Sequence, residues 1–247
     1  MPGPLSVAVP GGRIAFRERG SGTPVVFLHG GTGTGLYDWG HVADELSRSY
    51  RTIVVDLRAH GASPDDASAL GIVRFGLDAV HVLRAVGAPR AALVGFSAGA
   101  NTLLKLLARE PWRGLALVTV GGSARGDASR VAGIMAGPWP GELRRLEHAV
   151  GDGPDYWQGL RASLAKDWGE NLAMTDDELR RIACPTLVCH GERDPIQELE
   201  YGEHLAAAIP RAELLVVPDT GHPVQRERPD LFVDALEDFF RRALPRR

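Results

Sequence analysis

The chain has 247 residues, of which 44% are hydrophobic and 24% are charged, and its formal net charge at pH 7 is -3. This composition is ordinary for a globular domain and provides no basic surface for nucleic acid or an anionic membrane. The length suits one full-sized domain with at most a modest insertion. No segment resembles a secretory signal or approaches the length of a membrane span, so we expect a cytoplasmic protein that does not bind membranes.

The first twenty residues predict two short antiparallel strands, near Leu5–Val9 and Arg13–Arg19, joined by a turn at Pro10–Gly12. Short aliphatic runs without polar alternation follow, which is typical of strands buried on both faces. These runs are Pro24–Leu28, Thr52–Val55, Ala91–Val94, Leu115–Val120, Thr186–Cys189 and Glu213–Val217.

Longer segments with helical periodicity lie between these runs. They are Asp38–Ser47, Ala67–Val86, Ala98–Arg109, Tyr201–Ala208 and Pro229–Leu244. Strands that alternate with helices predict a mostly parallel sheet covered by helices on both faces. Together with the initial hairpin, the pattern predicts an α/β fold with an eight-stranded sheet.

One interval departs from this alternation. About sixty residues separate the strand that ends near Val120 from the one that begins near Thr186, although a single crossover helix would suffice. We interpret residues 122–181 as an inserted helical cap above the carboxyl edge of the sheet. Residues 1–121 and 182–247 then form the core domain.

The two cysteines, Cys184 and Cys189, lie before and at the end of one short predicted strand. Their side chains would be far apart and on opposite faces, so we expect no disulfide. They also lack a nearby cluster of histidines or cysteines, which argues against a metal site. We expect both to be buried structural residues.

The motif Gly95-Phe-Ser-Ala-Gly99 follows one predicted strand and begins the next predicted helix. This context favours a nucleophile elbow, in which a tight turn raises the serine to the sheet edge at a helix N-terminus. Glycine at both outer positions lets the backbone pack closely, and the amide donors there favour developing negative charge. Ser97 is therefore the candidate nucleophile.

A glycine-rich loop, Phe27-Leu-His-Gly-Gly-Thr-Gly33, directly follows the third predicted strand. In acyl-transfer enzymes of this architecture, the second oxyanion donor occupies such a loop. We assign the N–H groups of Gly31 and Ala98 to the oxyanion hole. A generic glycine-rich turn is the alternative interpretation of this loop.

A serine hydroxyl needs a base, and the base needs a partner that fixes its tautomer. Asp194 and His222 lie in the loops after the last two predicted strands, in the chain order Ser, Asp, His. For the acid, Glu192 is a near rival and Asp219 a weaker one.

His222 is the only one of the eight histidines that combines a loop after the last strand with the correct chain order. The others fall in predicted helices, a turn, the cap, the end of a strand or the glycine-rich loop. They are His41, His81, His204, His60, His148, His190 and His29.

In combination, these motifs resemble the α/β-hydrolase superfamily, from the N-terminal hairpin to the last helix, with only the cap unassigned. Two further runs carry the resemblance, Asp56-Leu-Arg-Ala-His-Gly-Ala-Ser63 and Gly221-His-Pro-Val-Gln-Arg-Glu-Arg-Pro-Asp-Leu-Phe232. In such relatives Asp56 and Arg58 have structural roles.

Within that superfamily the chain is similar to compact single-cap enzymes: carboxylesterases, valacyclovir-hydrolase-like enzymes, carbon–carbon bond hydrolases of meta-cleavage pathways and cofactor-free perhydrolases. Serine at position 97 argues against haloalkane dehalogenases and epoxide hydrolases, which use a carboxylate nucleophile. Thr32-Gly33 after the two loop glycines departs from the proline iminopeptidase pattern.

Aromatic residues of the cap and residues near the loops are candidates for substrate contact. The cap side chains Met135, Trp139, Tyr156, Trp157 and Trp168 either line an apolar pocket or form the core of the cap itself. Tyr37 and Trp39 are placed to face the site, while His29 either contacts substrate or orders its loop. The assigned set is His29, Thr32, Tyr37, Phe96, Trp139, Trp157 and Pro223.

We therefore expect a serine hydrolase of the carboxylic ester class, acting on an ester, or a related acyl or C–C bond, of a small and largely apolar molecule through acyl-Ser97. No metal or organic cofactor is implied, and a monomer or homodimer is expected, with no nucleic acid partner. A biosynthetic cyclase, lyase or acyltransferase on the same fold is the alternative, followed by a catalytically inactive ligand receptor.

Overall fold

A computed structural model describes residues 1–31, 33–64, 70–125, 133 and 154–244, except for the side chains of residues 154–157. Within these residues, eight strands form a single sheet. The strands are β1 (Leu5–Val9), β2 (Gly12–Arg19), β3 (Pro24–Leu28), β4 (Arg51–Val55), β5 (Ala91–Phe96), β6 (Gly114–Val120), β7 (Thr186–Gly191) and β8 (Ala212–Val217).

The strand order across the sheet is β1-β2-β4-β3-β5-β6-β7-β8. Strand β2 pairs antiparallel with β1 and with β4. The other neighbouring strands pair in parallel. The predicted α/β fold with a mostly parallel, eight-stranded sheet is confirmed.

Helices cover both faces of this sheet. They are α1 (Gly35–Leu46), α2 (Ile72–Ala85), α3 (Ala98–Arg109), α4 (Pro154–Asn171), α5 (Asp176–Leu179), α6 (Leu199–Ala208), α7 (Val224–Glu227) and α8 (Pro229–Ala243), with a 3₁₀ turn at Pro111–Arg113. Buried side chains of α2 and α3 belong to one apolar cluster, and those of α1 and α8 belong to the other. No helix in the described ranges is both long and apolar enough to cross a bilayer.

Strand β3 illustrates why the buried strands lack polar alternation. Val25 and Phe27 face one apolar cluster, whereas Val26 and Leu28 face the other. Successive side chains of a strand point to opposite faces, so a strand covered on both faces needs apolar residues at every position.

Some element boundaries differ from the predicted ones. Helix α1 begins at Gly35 rather than Asp38, because the Thr34 side chain accepts a hydrogen bond from Tyr37 N at 3.3 Å and so caps the helix. Strand β5 extends to Phe96, since Gly95 and Phe96 continue the pairing with β6. The strand therefore ends at the residue before Ser97.

Helices α4 and α5 lie between β6 and β7, within the interval predicted to form a cap. Residues 126–132 and 134–153 of that interval lie outside the described residues. The cap boundaries, 122 and 181, stay a prediction. Both cysteines are free and buried, as expected.

A buried ion pair fixes the loop after β4 to helix α2. Arg58 donates from Nε and Nη2 to the two carboxylate oxygens of Asp78, each at 2.8 Å, and the side chains are 1% and 4% exposed. Arg58 also donates to the carbonyl oxygens of Pro10 and Gly11, each at 3.2 Å. One guanidinium group thus connects the β1–β2 turn, the β4 loop and α2.

Replacing Asp78 with alanine should destabilise the fold by about 3–5 kcal/mol, because it leaves the Arg58 charge buried without its carboxylate. Urea unfolding measures the change. Glu45→Ala is the matched control, since it removes a carboxylate whose partner, Arg48, is 75% exposed. That control should cost no more than about 1 kcal/mol. Equal losses in the two variants would contradict this interpretation of the Arg58–Asp78 pair.

Candidate active site

Ser97 occupies a strained turn between β5 and α3. Its backbone angles are φ 50° and ψ -114°, outside the regions that a serine normally adopts. The Ser97 N–H donates to Val120 O at 2.8 Å, which ties the turn to the neighbouring strand. The strain is held by these surrounding contacts and is typical of a functional site.

The outer glycines of the turn are required by close backbone contacts. A Cβ on Gly95 would lie 2.6 Å from the amide nitrogen of Ala100. A Cβ on Gly99 would overlap Leu28 O at the end of β3. Side chains at either position would force the elbow apart, so glycine at both allows the strand and the helix to meet at Ser97.

His222 and Asp194 form a buried pair at the carboxyl ends of the last two strands. Asp194 follows β7 and His222 follows β8, and His222 Nδ1 lies 2.7 Å from Asp194 Oδ2. The two residues are each 8% exposed. The other carboxylate oxygen, Oδ1, accepts hydrogen bonds from Ile196 N at 2.8 Å and Gln197 N at 2.9 Å.

These contacts determine the charge of Asp194. Burial alone would raise the pKa of its carboxyl, but the hydrogen bond and charge of His222 and the two backbone N–H groups together hold that pKa below its ordinary value. Asp194 is therefore an anion at neutral pH.

His222 also lies beside the serine turn. Its ring centroid is 4.8 Å from that of Phe96, the residue before Ser97. A Cβ on Gly121, just past the end of β6, would lie 2.7 Å from His222 Cε1. The carboxyl ends of β5, β6 and β8 therefore meet at this histidine.

The rival carboxylates lie elsewhere in the same loops. Glu192 Oε2 accepts a hydrogen bond from Asp219 N at 3.1 Å. The Asp219 side chain is 65% exposed and pairs with Arg193. Asp194 is thus the carboxylate that the structure brings to His222.

The glycine-rich loop after β3 lies against the start of helix α3. A Cβ on Gly31 would lie 3.3 Å from Ala98 Cβ, so the two residues assigned to the oxyanion hole are neighbours. Ala98 is the first residue of α3, and its N–H has no carbonyl of the preceding turn to bind. The geometry therefore places Gly31 beside the residue that follows Ser97.

Three buried side chains hold this loop. Asp38 Oδ2 accepts a hydrogen bond from Gly30 N at 2.9 Å. His29 Nδ1 donates to Gly30 O at 2.6 Å, and His60 Nε2 lies 3.0 Å from Gly31 O. The amide and carbonyl groups of the loop are therefore fixed before any substrate binds.

Comparison with known proteins identifies the family of the chain. A sequence profile of the alpha/beta hydrolase family matches residues 25–235. The chain belongs to the alpha/beta hydrolase family. The resemblance predicted from the sequence is confirmed, and the relatives support an enzyme of the hydrolase kind.

Three relatives illustrate the range of this family. The 2-hydroxymuconate semialdehyde hydrolase of Pseudomonas sp. (strain CF600) is 31% identical over 94% of this chain and 91% of its own. The human serine hydrolase BPHL is 28% identical over 94% of this chain and 84% of its own. The structure of the esterase RhEst1 from Rhodococcus sp. ECU1013 superposes with a TM-score of 0.75 at 29% identity, covering 96% of this chain and 98% of that one.

For His29 the structure favours the second of the two alternatives in this hydrolase, and for Trp39 it differs from the prediction. His29 is fully buried, its Nδ1 binds Gly30 O, and its Nε2 accepts a hydrogen bond from Leu57 N at 2.9 Å, so it orders the loop. Trp39 is also fully buried, and its indole donates to Leu28 O at 3.0 Å. It is a core residue beneath β3.

The remaining assigned contacts keep their status as predictions. Phe96 packs against the loop, since a Cβ on Gly30 would lie 2.9 Å from its ring, and Pro223 directly follows His222. Tyr37 contributes to a cavity of about 310 Å³ with Asp38, Gln225 and Arg226. Thr32, Trp139 and the Trp157 side chain lie outside the described residues.

Asp38 is a functional candidate that the sequence analysis missed, because an acidic residue near a helix N-terminus suggests only a favourable helix dipole interaction. Burial raises the pKa of its carboxyl to about 6, although Arg226, the Gly30 N–H and His222 each favour the anion. Arg226 Nε is 3.6 Å from Oδ1, too far for a hydrogen bond.

The Asp38→Asn variant should become more stable relative to the wild type as the pH rises from 4.5 to 7.5. Up to about pH 6 the folded carboxyl retains a proton that the unfolded chain has released, so the wild type loses stability as the pH rises to that value. The difference between the two proteins should change by about 2 kcal/mol. Urea unfolding at both pH values measures it.

Asparagine is suitable because its side-chain oxygen can still accept the Gly30 N–H. Asp177→Asn is the matched control, since the Asp177 side chain is 85% exposed. If Asp38→Asn and wild type keep a constant difference across this pH range, then the Asp38 carboxyl ionises normally and the burial argument is wrong.

Proposed function

We propose that this protein is a serine hydrolase that cleaves an ester of a small, largely apolar molecule through an acyl-Ser97 intermediate. The observation that carries the proposal is the 2.7 Å contact between His222 Nδ1 and buried Asp194, next to a serine held in a strained strand-to-helix turn. Nucleophile, base and orienting acid are the three roles that acyl transfer by serine requires.

The Asp194 carboxylate accepts a hydrogen bond from the N–H at Nδ1 of His222. The other nitrogen of the neutral ring, Nε2, is therefore free of a proton and can accept one. In the proposed mechanism, Nε2 takes the Ser97 proton during attack on the carbonyl carbon and then gives it to the leaving group. His222 next removes a proton from the water that attacks acyl-Ser97, and it returns a proton to Ser97 Oγ as the acyl–oxygen bond breaks. The anionic Asp194 stabilises the imidazolium in both steps.

The tetrahedral intermediates need donors for their negative oxygen, and we assign this role to the N–H groups of Gly31 and Ala98. A planar peptide carries its C=O and N–H on opposite sides. Because His29 binds Gly30 O, the N–H of Gly31 in the same peptide is directed to the other side. This fixed direction supports the assignment of Gly31 as a donor.

The relatives favour two bond types. The RhEst1 structure is described as an esterase, which supports ester cleavage. Similarity to a 2-hydroxymuconate semialdehyde hydrolase favours hydrolysis of a carbon–carbon bond as the second candidate. A serine nucleophile with its base and oxyanion donors suits attack on a carbonyl carbon in either case.

Ser97→Ala should abolish turnover and covalent labelling by a fluorophosphonate while leaving the thermal unfolding temperature unchanged. The reason is that alanine removes the attacking oxygen and little packing volume. Intact mass measures the labelling. Turnover is measured with a 4-nitrophenyl ester and, separately, with a 1,5-diketone, so that ester cleavage is distinguished from carbon–carbon cleavage. Turnover retained by this variant would overturn the proposal. If the wild type formed a cyclised product, or transferred the acyl group to an acceptor other than water, the cyclase or acyltransferase alternative would be favoured.

Asp194→Asn should lower kcat by about 10⁴-fold, because asparagine stabilises the wrong tautomer of His222. Asp219→Asn, in the neighbouring loop, is the matched control and should retain the wild-type kcat, since the Asp219 carboxylate is exposed and pairs with Arg193. Steady-state kinetics with the same ester compare them. If Asp219→Asn lowered kcat more than Asp194→Asn, Asp219 would be the acid that orients His222.

A further inference from the structure

Trp168 lies directly on the loop assigned to the oxyanion hole. A Cβ on Gly31 would overlap the indole atoms Cζ2 and Cη2 of Trp168. The same Cβ position is 3.3 Å from Ala98 Cβ. The indole therefore packs against Gly31 on the side where Gly31 lies next to Ala98.

Helix α4 is fixed in this position by apolar and polar contacts. Leu160, Leu164 and Trp168 follow each other at four-residue intervals and are 4%, 0% and 8% exposed, so they form one buried face. Beside Trp168, Asp167 Oδ2 accepts a hydrogen bond from Ile72 N at 2.8 Å, at the start of α2. The indole is thus held by a helix that is anchored at the adjacent residue.

The polar atom of this indole is buried without a partner. Among the described residues, Trp168 Nε1 has no hydrogen-bond acceptor, although the atom is buried. A buried N–H without an acceptor is destabilising, so such a group in a native protein calls for an explanation. The other core tryptophan of the described chain, Trp39, satisfies its N–H with Leu28 O.

The part of the indole that contacts Gly31 is close in the ring to this N–H. Within the ring, Cζ2 is bonded to Cε2, and Cε2 is bonded to Nε1. Cζ2 is one of the two atoms that a Gly31 Cβ would overlap. The unpartnered donor is therefore two bonds away from a ring atom that contacts Gly31.

We propose that Trp168 determines substrate specificity by donating its indole N–H to an acceptor atom on the acyl part of the substrate. This inference rests on the proposed function, since it assumes an acyl carbonyl bound by Gly31 and Ala98. The preferred acyl group then carries an ether, hydroxyl or keto oxygen near the scissile carbonyl. A purely hydrocarbon acyl chain leaves the N–H unsatisfied and reacts less well.

Two esters with one leaving group isolate this hydrogen bond. 4-Nitrophenyl methoxyacetate and 4-nitrophenyl butanoate have acyl chains of equal length, in which one oxygen replaces one methylene. The measured quantity is the ratio of their kcat/KM values. Comparing this ratio between wild type and variants cancels the intrinsic reactivity of each ester, and a change in packing lowers both values together.

In Trp168→Phe, which keeps an aromatic ring but lacks the N–H, the ratio of methoxyacetate to butanoate should fall about tenfold, equivalent to about 1.4 kcal/mol. Trp112→Phe is the matched control, because Trp112 is 52% exposed on the surface. Its ratio should equal that of the wild type. Where turnover is slow, the rate of acyl-Ser97 formation by intact mass gives the same ratio.

A wild-type ratio in Trp168→Phe would overturn the proposal. Fluorophosphonate labelling of Ser97 in the same samples separates this result from failure of the proposed function, in which the wild type itself is neither labelled nor acylated. If Trp168→Phe does not fold, site-specific replacement of Trp168 by β-(3-benzothienyl)alanine, which keeps the shape and lacks the N–H, decides between the two outcomes.

Discussion

The site depends on one steric constraint, the turn that places Ser97 between β5 and α3. A residue with φ of 50° and ψ of -114° is stable only where its surroundings hold it. Here Ser97 N binds Val120 O, while Gly95 and Gly99 let the backbone of α3 and the end of β3 approach without a Cβ between them. The same close approach brings the loop after β3 beside the first turn of α3, so the strained serine and its neighbouring amides have a single structural cause.

The loop after β3 shows how a flexible glycine-rich sequence becomes rigid. Glycine allows the close approach but does not fix a direction. Direction comes from buried side chains on three different segments: His29 in the loop itself, Asp38 in α1 and His60 after β4. Each binds a backbone group of Gly30 or Gly31, and because a peptide is planar, holding one of its groups also directs the other. A donor fixed in this way needs no reorganisation when charge develops on a substrate oxygen.

The fold and the relation between Asp194 and His222 could be predicted because both follow from local patterns and chain order. Apolar runs identified each strand, and the parallel arrangement places the loops after β7 and β8 at one edge of the sheet. The support of the loop could not be predicted in this way. Trp168 is distant in sequence from Gly31, which it contacts, and Asp38 reaches back from helix α1 to Gly30. Each also suits a common structural role, a cap core residue or a helix N-terminal acid. The roles of His29 and Trp39 could not be decided for a similar reason, since sequence position near a loop does not reveal whether a side chain points to solvent or to the core.

Asp194 and Asp38 show how the environment assigns different electrostatic roles to two buried carboxylates near the same histidine. Asp194 accepts hydrogen bonds from His222 and from two backbone N–H groups, which together outweigh burial and hold its pKa low. Asp38 accepts one N–H and has Arg226 at 3.6 Å, which is too little to offset burial, and its pKa rises to about 6. The first carboxylate is therefore suited to stabilise an imidazolium, because its charge does not change as His222 gains and loses a proton. The second is suited to hold the loop through its acceptor oxygen, since the Gly30 N–H can be bound by either protonation state, and the direction of the Gly30 amide then does not depend on the charge of Asp38.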